Sequence, residues 1–372
     1  MKRLLLLGGG HAHVHVLREL ARSPLPGTEV LLVTPFERQM YSGMVPGLVA
    51  GHYRAEDCAI PLLPLARAAR VSLLEASAVA MNAAQRWVQL SSGQRAEYDV
   101  LSIDTGSEMN RDVIPGAREH GLFVRPIEHF VQLFERTVEL MQRRALDVVV
   151  IGAGAAGVEL AMALQHRFGD QARLALVTGG SAPLEGYPLR VIERAAAQLR
   201  RLRITVLPQS CTAIAADHLQ LASGARVACD VPVLAVGSGA PAWLKGSGLT
   251  LDEHGYVATG ATLQSCSHAQ VLAAGDVATR LDVQRPRSGV YAVRAGPALA
   301  HNLRAWVAGQ ALEAHLPPAR TLNLISCGDK VAIASWGEWS AQGRWVWWWK
   351  DHIDRKFVRR YTLPQTALNR SA

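Results

Sequence analysis

Cysteine is scarce in this sequence. Its five residues, Cys58, Cys211, Cys229, Cys266 and Cys327, are scattered, odd in number and never in a CxxC pair. That argues against a disulfide framework or a zinc site and for a reducing compartment. Long apolar runs are also lacking, and no stretch approaches the roughly 20 residues that a membrane-spanning helix needs. The start, Met1-Lys2-Arg3 followed by Leu4 to Leu7, resembles the opening of a signal peptide. The apolar run stops after four leucines, in three glycines, so it reads better as a buried strand. There is no low-complexity tract. No basic run with interleaved aromatics precedes the C-terminus, so nucleic acid is not an expected partner.

What is present is a folded chain of 372 residues, 49% hydrophobic, with a formal charge of +8. That length suits two or three domains. The positive balance favours anionic partners, such as cofactor phosphates or an anionic membrane surface. The alternative is a cationic excess spread over a solvated surface.

Leu4 to Leu7 reads as a strand, Gly8-Gly9-Gly10 as a tight turn, His11 to Arg22 as a helix and Val30 to Val33 as a second strand. The pattern returns at Val148 to Ile151, Gly152-Ala153-Gly154-Ala155-Ala156-Gly157, a helix over Val158 to Phe168, and a strand over Leu174 to Val177. Each copy is closed by an apolar strand running into glycine, at Tyr98 to Ser107 and at Cys229 to Gly239. Two copies of one βαβ unit predict an α/β fold with two Rossmann-like dinucleotide-binding domains. We place the first domain at 1–107 and 265–316, the second inserted at 108–264, and a small C-terminal segment at 317–372 after Pro317-Pro318.

The chemistry sits in the glycine turns. The first glycine lets the strand turn sharply, the second lets backbone approach a pyrophosphate, and the third lets helix and strand pack closely. The helix N-terminus then offers amides and partial positive charge to phosphate. Gly152, Gly154 and Gly157 match all three positions. Gly8 and Gly10 match two, and the third is His13. His11, His13 and His15 alternate, so they do not share a helix face as metal ligands would; packing and phosphate-side contacts suit them better.

These turns, with Tyr98 to Ser107, Val271 to Ala278 and Ser288 to Pro297, resemble the pyridine nucleotide-disulfide oxidoreductase superfamily. Type II NADH dehydrogenases and sulfide:quinone oxidoreductases are the nearest look. Tyr41 to Tyr53 also resembles a bacterial group associated with selenide, water dikinase. The resemblance implies FAD held by the first domain, through Gly8, Gly10, His11, Thr34, Pro46, Thr105, Gly106, Gly275, Asp276, Tyr291 and Ala292. It implies NAD(P)H as co-substrate at Gly152, Gly154 and Gly157. Asp276 would bond the ribityl chain; a helix cap is the alternative, and the Ala274-Gly275-Asp276 context favours FAD. The helix opened by Tyr291 to Ala295 would stabilise reduced flavin by roughly 0.3–1 kcal/mol through its dipole. Glu159 matches a proton-handling glutamate near the flavin, and equally reads as a carboxylate complementing its helix dipole.

The departures shape the functional reading. Thr34 and Thr178 stand where an acidic residue usually holds each adenosine ribose, and Thr178 is followed by Gly179 and Gly180. Weakly selective nicotinamide use is therefore expected. Pro35 to Gly51 contains no cysteine, so the redox thiol pair of disulfide reductases is missing, leaving Cys58 and Cys327 as remote candidates. The reading is an FAD-dependent oxidoreductase passing electrons from NAD(P)H to a quinone-like acceptor. The alternatives are oxidation of a sulfur or selenium species, or a flavin-bound redox sensor with a decayed nicotinamide site.

Near the C-terminus, Trp345-Val346-Trp347-Trp348-Trp349 precedes Lys350, Arg355, Lys356, Arg359 and Arg360. As a helix it aligns Val346, Trp349, Ile353, Phe357 and Tyr361 on one stripe. Residues 345–361 are thus expected to dock on an anionic membrane surface, placing a cytoplasmic enzyme at the inner face of the membrane. Packing on the first domain and a homodimer interface are the alternatives.

Overall fold

The computed structural model describes residues 1–363. Leu4 to Leu7 are each at most 1% exposed, as a strand covered on both faces requires. Burying each such leucine contributes roughly 1.5–3 kcal/mol. The strand Lys2–Leu7 lies at the centre of a five-stranded parallel sheet. The order is Val271–Ala273, Val100–Ile103, Lys2–Leu7, Thr28–Thr34 and Ser72–Glu75. Leu4 pairs with Val30 on one side and Val100 on the other.

The second sheet repeats the plan around Leu146–Ile151. Its order is Leu122–Phe123, Val231–Leu234, Leu146–Ile151, Ala172–Val177 and Thr205–Leu207, again all parallel. Each unit carries a three-stranded antiparallel meander, Ala78 to Glu97 between Ser72–Glu75 and Val100–Ile103 in the first, and Cys211 to Ala228 between Thr205–Leu207 and Val231–Leu234 in the second. The chain leaves the first sheet after Val100–Ile103, builds the whole second sheet, and returns with Val271–Ala273. The fold is therefore α/β, with one dinucleotide-binding unit inserted into another.

Helix His11–Arg22 follows the first glycine turn and packs on the long helix Gly289–Ala308. Helix Ala155–Phe168 follows the second turn, starting three residues earlier than the sequence pattern suggests. A third sheet, Asn323–Ser326, Ala332–Trp336 and Trp339–Gly343, is antiparallel and leads into the C-terminal helix Arg344–Tyr361. This helix buries Val346, Trp347, Phe357 and Tyr361 and exposes Trp345, Trp348, Trp349 and Ile353. The stripe foreseen for the membrane is thereby split. Three of its members face the core, because aromatic residues occupy both faces of the helix and the adjoining sheet decides which face is inside.

Candidate active site

Gly8 has φ +94°, and a Cβ there would meet the Asp104 carbonyl oxygen at 2.4 Å. Only glycine fits this turn. At the third position the His13 ring is fully buried, with Nδ1 2.6 Å from the Gly8 carbonyl and Nε2 2.8 Å from Ser102 Oγ. Burial pushes its pKa down to about 4, so it is neutral. A carbonyl can only accept, so Nδ1 carries the proton and Nε2 accepts from the Ser102 hydroxyl. His15, two residues on, places Nδ1 3.1 Å from the Tyr361 hydroxyl of the C-terminal helix. The three alternating histidines thus take three separate tasks.

A cavity of about 900 Å³ opens above this turn. Gly8, Gly10, His11, Thr34, Thr105 and Gly106 line it, as do Asp276 and Ala292. It also reaches Gly239 and Trp243, which follow the second sheet. Gly275 and Tyr291 line an adjoining cavity of about 450 Å³ that shares Asp276 and Ala292. Pro46 lines neither cavity. It is buried in the short helix Val45–Val49, which packs on helix Ala155–Phe168.

Several lining residues carry no local sequence signal. Arg125 donates to Asp276 Oδ2 and to Ser107 Oγ, each at 3.1 Å. Glu128 accepts the Met40 amide at 3.1 Å, and burial raises its carboxyl. His11 lies near Gln39 and Ser42; burial pushes its pKa down to about 4 against the pull of Asp276. Arg125 could have been suspected only by asking what balances Asp276, since the two lie 151 residues apart.

The residues present fit a dinucleotide. Thr105 Oγ1 and Gln39 Oε1 are buried, line the large cavity and have no hydrogen-bond partner within the chain. Buried polar atoms of this kind need a partner, and ligand hydroxyl or ring nitrogen groups would supply one. The first glycine turn and the start of helix Gly289–Ala308 both border this cavity.

The second turn meets the three glycine roles. A Cβ on Gly152 would lie 2.3 Å from the Ala235 carbonyl oxygen, and one on Gly157 2.0 Å from the Gly152 carbonyl oxygen. Beside Gly154 there is open space. Thr178 follows the second strand, buried, with its hydroxyl unpartnered, and Gly179 and Gly180 come next at φ +72° and +95°. Glu159 Oε1 accepts the Ser326 amide at 2.7 Å, from the third sheet. Burial pushes this carboxyl up to about 7, with Lys350 pulling the other way. Lys350 in turn donates to Asp354 Oδ2 at 2.6 Å and to the Gly43 carbonyl. Glu159 thus sits where the second turn, the third sheet and the C-terminal helix meet, with a pKa suited to giving up or taking a proton at neutral pH.

The cysteines offer no reactive thiolate beside this site. Cys58 and Cys327 are fully buried; burial pushes the Cys58 thiol up to about 12 and raises that of Cys327 further. Such thiols are inert.

Two parallel sheets, each with a glycine turn after its central strand, and a large cavity at the first turn give the plan of a two-domain dinucleotide-dependent oxidoreductase. The profile of the family described as pyridine nucleotide-disulphide oxidoreductase matches residues 2–302, and the chain belongs to that family. It is similar to the demethylphylloquinone reductase NdbB of Synechocystis sp., at 25% identity over 75% of this chain and 72% of that protein. It also resembles a probable NADH dehydrogenase of Dictyostelium discoideum, at 20% identity over 74% and 68%. Among solved structures, the sulfide:quinone oxidoreductase of Aquifex aeolicus superposes with a TM-score of 0.79 at 16% identity, over 99% of this chain and 94% of that one. NDH2 of Plasmodium falciparum in complex with NADH gives 0.79 at 13% identity, over 98% and 99%.

Proposed function

We propose that this chain is an FAD-dependent NAD(P)H:quinone-type oxidoreductase. The observation that carries the reading is the large cavity running from the first glycine turn to the edge of the second unit, with buried unpartnered polar atoms in its wall. Relatives named as a demethylphylloquinone reductase and an NADH dehydrogenase support it. In this reading, residues 1–107 and 265–316 form the FAD unit, 108–264 the NAD(P)H unit and 317–372 the C-terminal segment. FAD, when bound, supplies the acceptance of a hydride from nicotinamide and its delivery as electrons to the acceptor. Gly8, Gly10 and Thr105 hold it, and the Arg125–Asp276 pair fixes the side of the cavity that faces helix Gly289–Ala308. Gly152, Gly154 and Gly157 seat the nicotinamide nucleotide. Thr178 offers its ribose a hydroxyl in place of a carboxylate, which lowers selectivity between NADH and NADPH.

The proton balance gives Glu159 its task. NAD(P)H releases a hydride, a quinol carries two protons, and one further proton must enter. A carboxyl with pKa about 7 at the junction of the units can deliver it. The acceptor would be drawn from a membrane. No helix among the described residues is long and apolar enough to cross one. A docking face is instead formed by Trp345, Trp348, Trp349 and Ile353, continued by Lys356, Arg359 and Arg360, with Trp336 and Trp339 on the neighbouring hairpin. Tryptophan favours the headgroup region and the cations favour an anionic leaflet, here the cytoplasmic one. Anaerobic mixing of the purified protein with NADH or NADPH, followed by a soluble quinone, tests the reading. Fast bleaching of a bound flavin, then reoxidation by quinone, is the expected outcome. A protein that takes up no FAD, or a bound flavin that neither nucleotide reduces, would sink it.

A further inference from the structure

The two glycine turns share a plan, but only the first holds a charge inside it. Where the second closing strand, Val231–Leu234, runs into Ala235, the first, Val100–Ile103, runs into Asp104. Asp104 is 3% exposed, and its Oδ2 accepts the amides of Ala12 and His13 at 2.8 and 2.9 Å. These are first-turn amides of helix His11–Arg22, the kind of donor that a helix start offers to phosphate. The carboxyl is wedged in place. A Cβ on Gly10 would lie 2.4 Å from its Cγ, and one on Gly275 2.7 Å from its Oδ1. It lines the large cavity beside Gly8 and Gly10.

The charged surroundings do not neutralise it. Asp276, from the turn after Val271–Ala273, adds negative field. Arg125 is engaged by Asp276 at 3.1 Å. His11 and His13 on the helix are held neutral by burial. A pyrophosphate at this turn therefore meets a resident carboxylate already bonded to the helix start.

We infer that Asp104 sets the affinity of the first turn for its dinucleotide, and that the dinucleotide binds with uptake of one proton by this carboxyl. The inference rests on reading the first unit as the FAD site. Burial pushes the Asp104 carboxyl up to about 7, with Asp276 adding to the rise against the two amides. Below that pH the group is already neutral and binding is unaffected. Above it, each pH unit weakens binding by about tenfold, as linkage to a single proton requires.

The experiment follows flavin release from the full-length purified protein by the fluorescence of free FAD, from about pH 5.5 to about pH 9. Wild type is expected to give a dissociation constant flat below about pH 7 and rising about tenfold per unit above it. Asp104→Asn keeps an acceptor for the two amides, so it should bind about tenfold tighter than wild type near pH 8 and show no slope. Asp276→Asn should keep the slope, which separates the two carboxylates. A flat wild-type profile would overturn the inference and leave the FAD reading standing. So would a slope that survives in Asp104→Asn, or an Asn variant of unchanged circular dichroism that binds more weakly at every pH. Failure of wild type to bind FAD at any pH would overturn both.

Discussion

In the second glycine turn the third position holds no side chain, and the carbonyl of Gly152 fills the space a Cβ would need. In the first turn the same position holds an imidazole, which bonds the equivalent carbonyl, that of Gly8, at 2.6 Å. One turn achieves close packing of helix on strand by subtraction. The other holds helix and strand apart and bridges the gap with a hydrogen-bonded ring. Neighbouring positions follow suit: Val233 and Ala235 of the second unit are Ser102 and Asp104 in the first, which gives His13 its hydroxyl partner and the helix start its carboxylate. Departure from a glycine pattern is thus compensated by polar partners on the adjacent strand, and the first turn becomes a buried network whose members depend on one another.

That dependence gives the largest effect. His13→Gly would restore the three-glycine pattern by sequence, yet it should damage the first unit. It empties an aromatic-sized site, a loss of roughly 3–5 kcal/mol, and strands the Ser102 hydroxyl and the Gly8 carbonyl. Denaturant unfolding should show a midpoint well below wild type, with lower flavin content in what remains folded. A variant as stable as wild type would mean that the two turns are interchangeable and that the network contributes nothing.

The residue two places beyond the third position sharpens the contrast, being His15 in the first helix and Glu159 in the second. Glu159→Gln removes the titrating group while keeping an acceptor for the Ser326 amide. Turnover with quinone should fall by about 100-fold. In wild type the protonated carboxyl is the active form, so turnover should decline as pH rises through about 7, where burial has placed this group. The Gln variant should lose that decline. An unchanged pH profile would reduce Glu159 to a tie between the second helix and the third sheet.

Adding a methyl group at Gly157 tests subtraction directly. Its Cβ would sit 2.0 Å from the Gly152 carbonyl oxygen, and relief of that clash should cost about 1–3 kcal/mol. Flavin reduction by NADH should slow while flavin content holds, because the first unit is untouched. A Gly157→Ala protein with wild-type reduction rate would show that the second turn does not seat the nucleotide.

Local pattern and long-range contact divide what could be read beforehand. The strands, both turns and their helices were legible because four-residue apolar runs ending in glycine have few other uses. The insertion was legible because the βαβ unit recurs. Asp104 was hidden by its context: in the sequence it is one polar residue between an apolar strand and Thr105-Gly106, and its partners lie about 90 residues away. Arg125 was hidden for the same reason. In the C-terminal helix the single stripe read from the sequence is divided, with Val346, Phe357 and Tyr361 buried and Trp349 and Ile353 exposed.

The C-terminal helix ties the comparison together, because it bonds the first turn helix at His15 and acts through its charge on the matching position of the second, Glu159. Tyr361 meets His15 at 3.1 Å, and Lys350 exerts its field on Glu159. Its inner face is therefore committed to the two units, and any surface contact must use the outer face. On that face Arg355 is already tied to Asp351 at 2.9 Å and stacked over Tyr53. Lys356, Arg359 and Arg360, all exposed, are among the cations free to meet an anionic leaflet. Each should contribute about 1 kcal/mol. Lys356→Gln should then lower partition onto phosphatidylserine-containing vesicles by roughly fivefold at low salt, with little change in 0.5 M salt, roughly where screening removes the attraction. Arg355→Gln should change partition less than Lys356→Gln, because its charge is spent within the protein. Turnover with a soluble quinone should stay at the wild-type level in the Lys356 variant. Equal partition of wild type and Lys356→Gln, or no binding of wild type to anionic vesicles at low salt, would remove the membrane from the account and leave the exposed tryptophans to be explained by a protein partner.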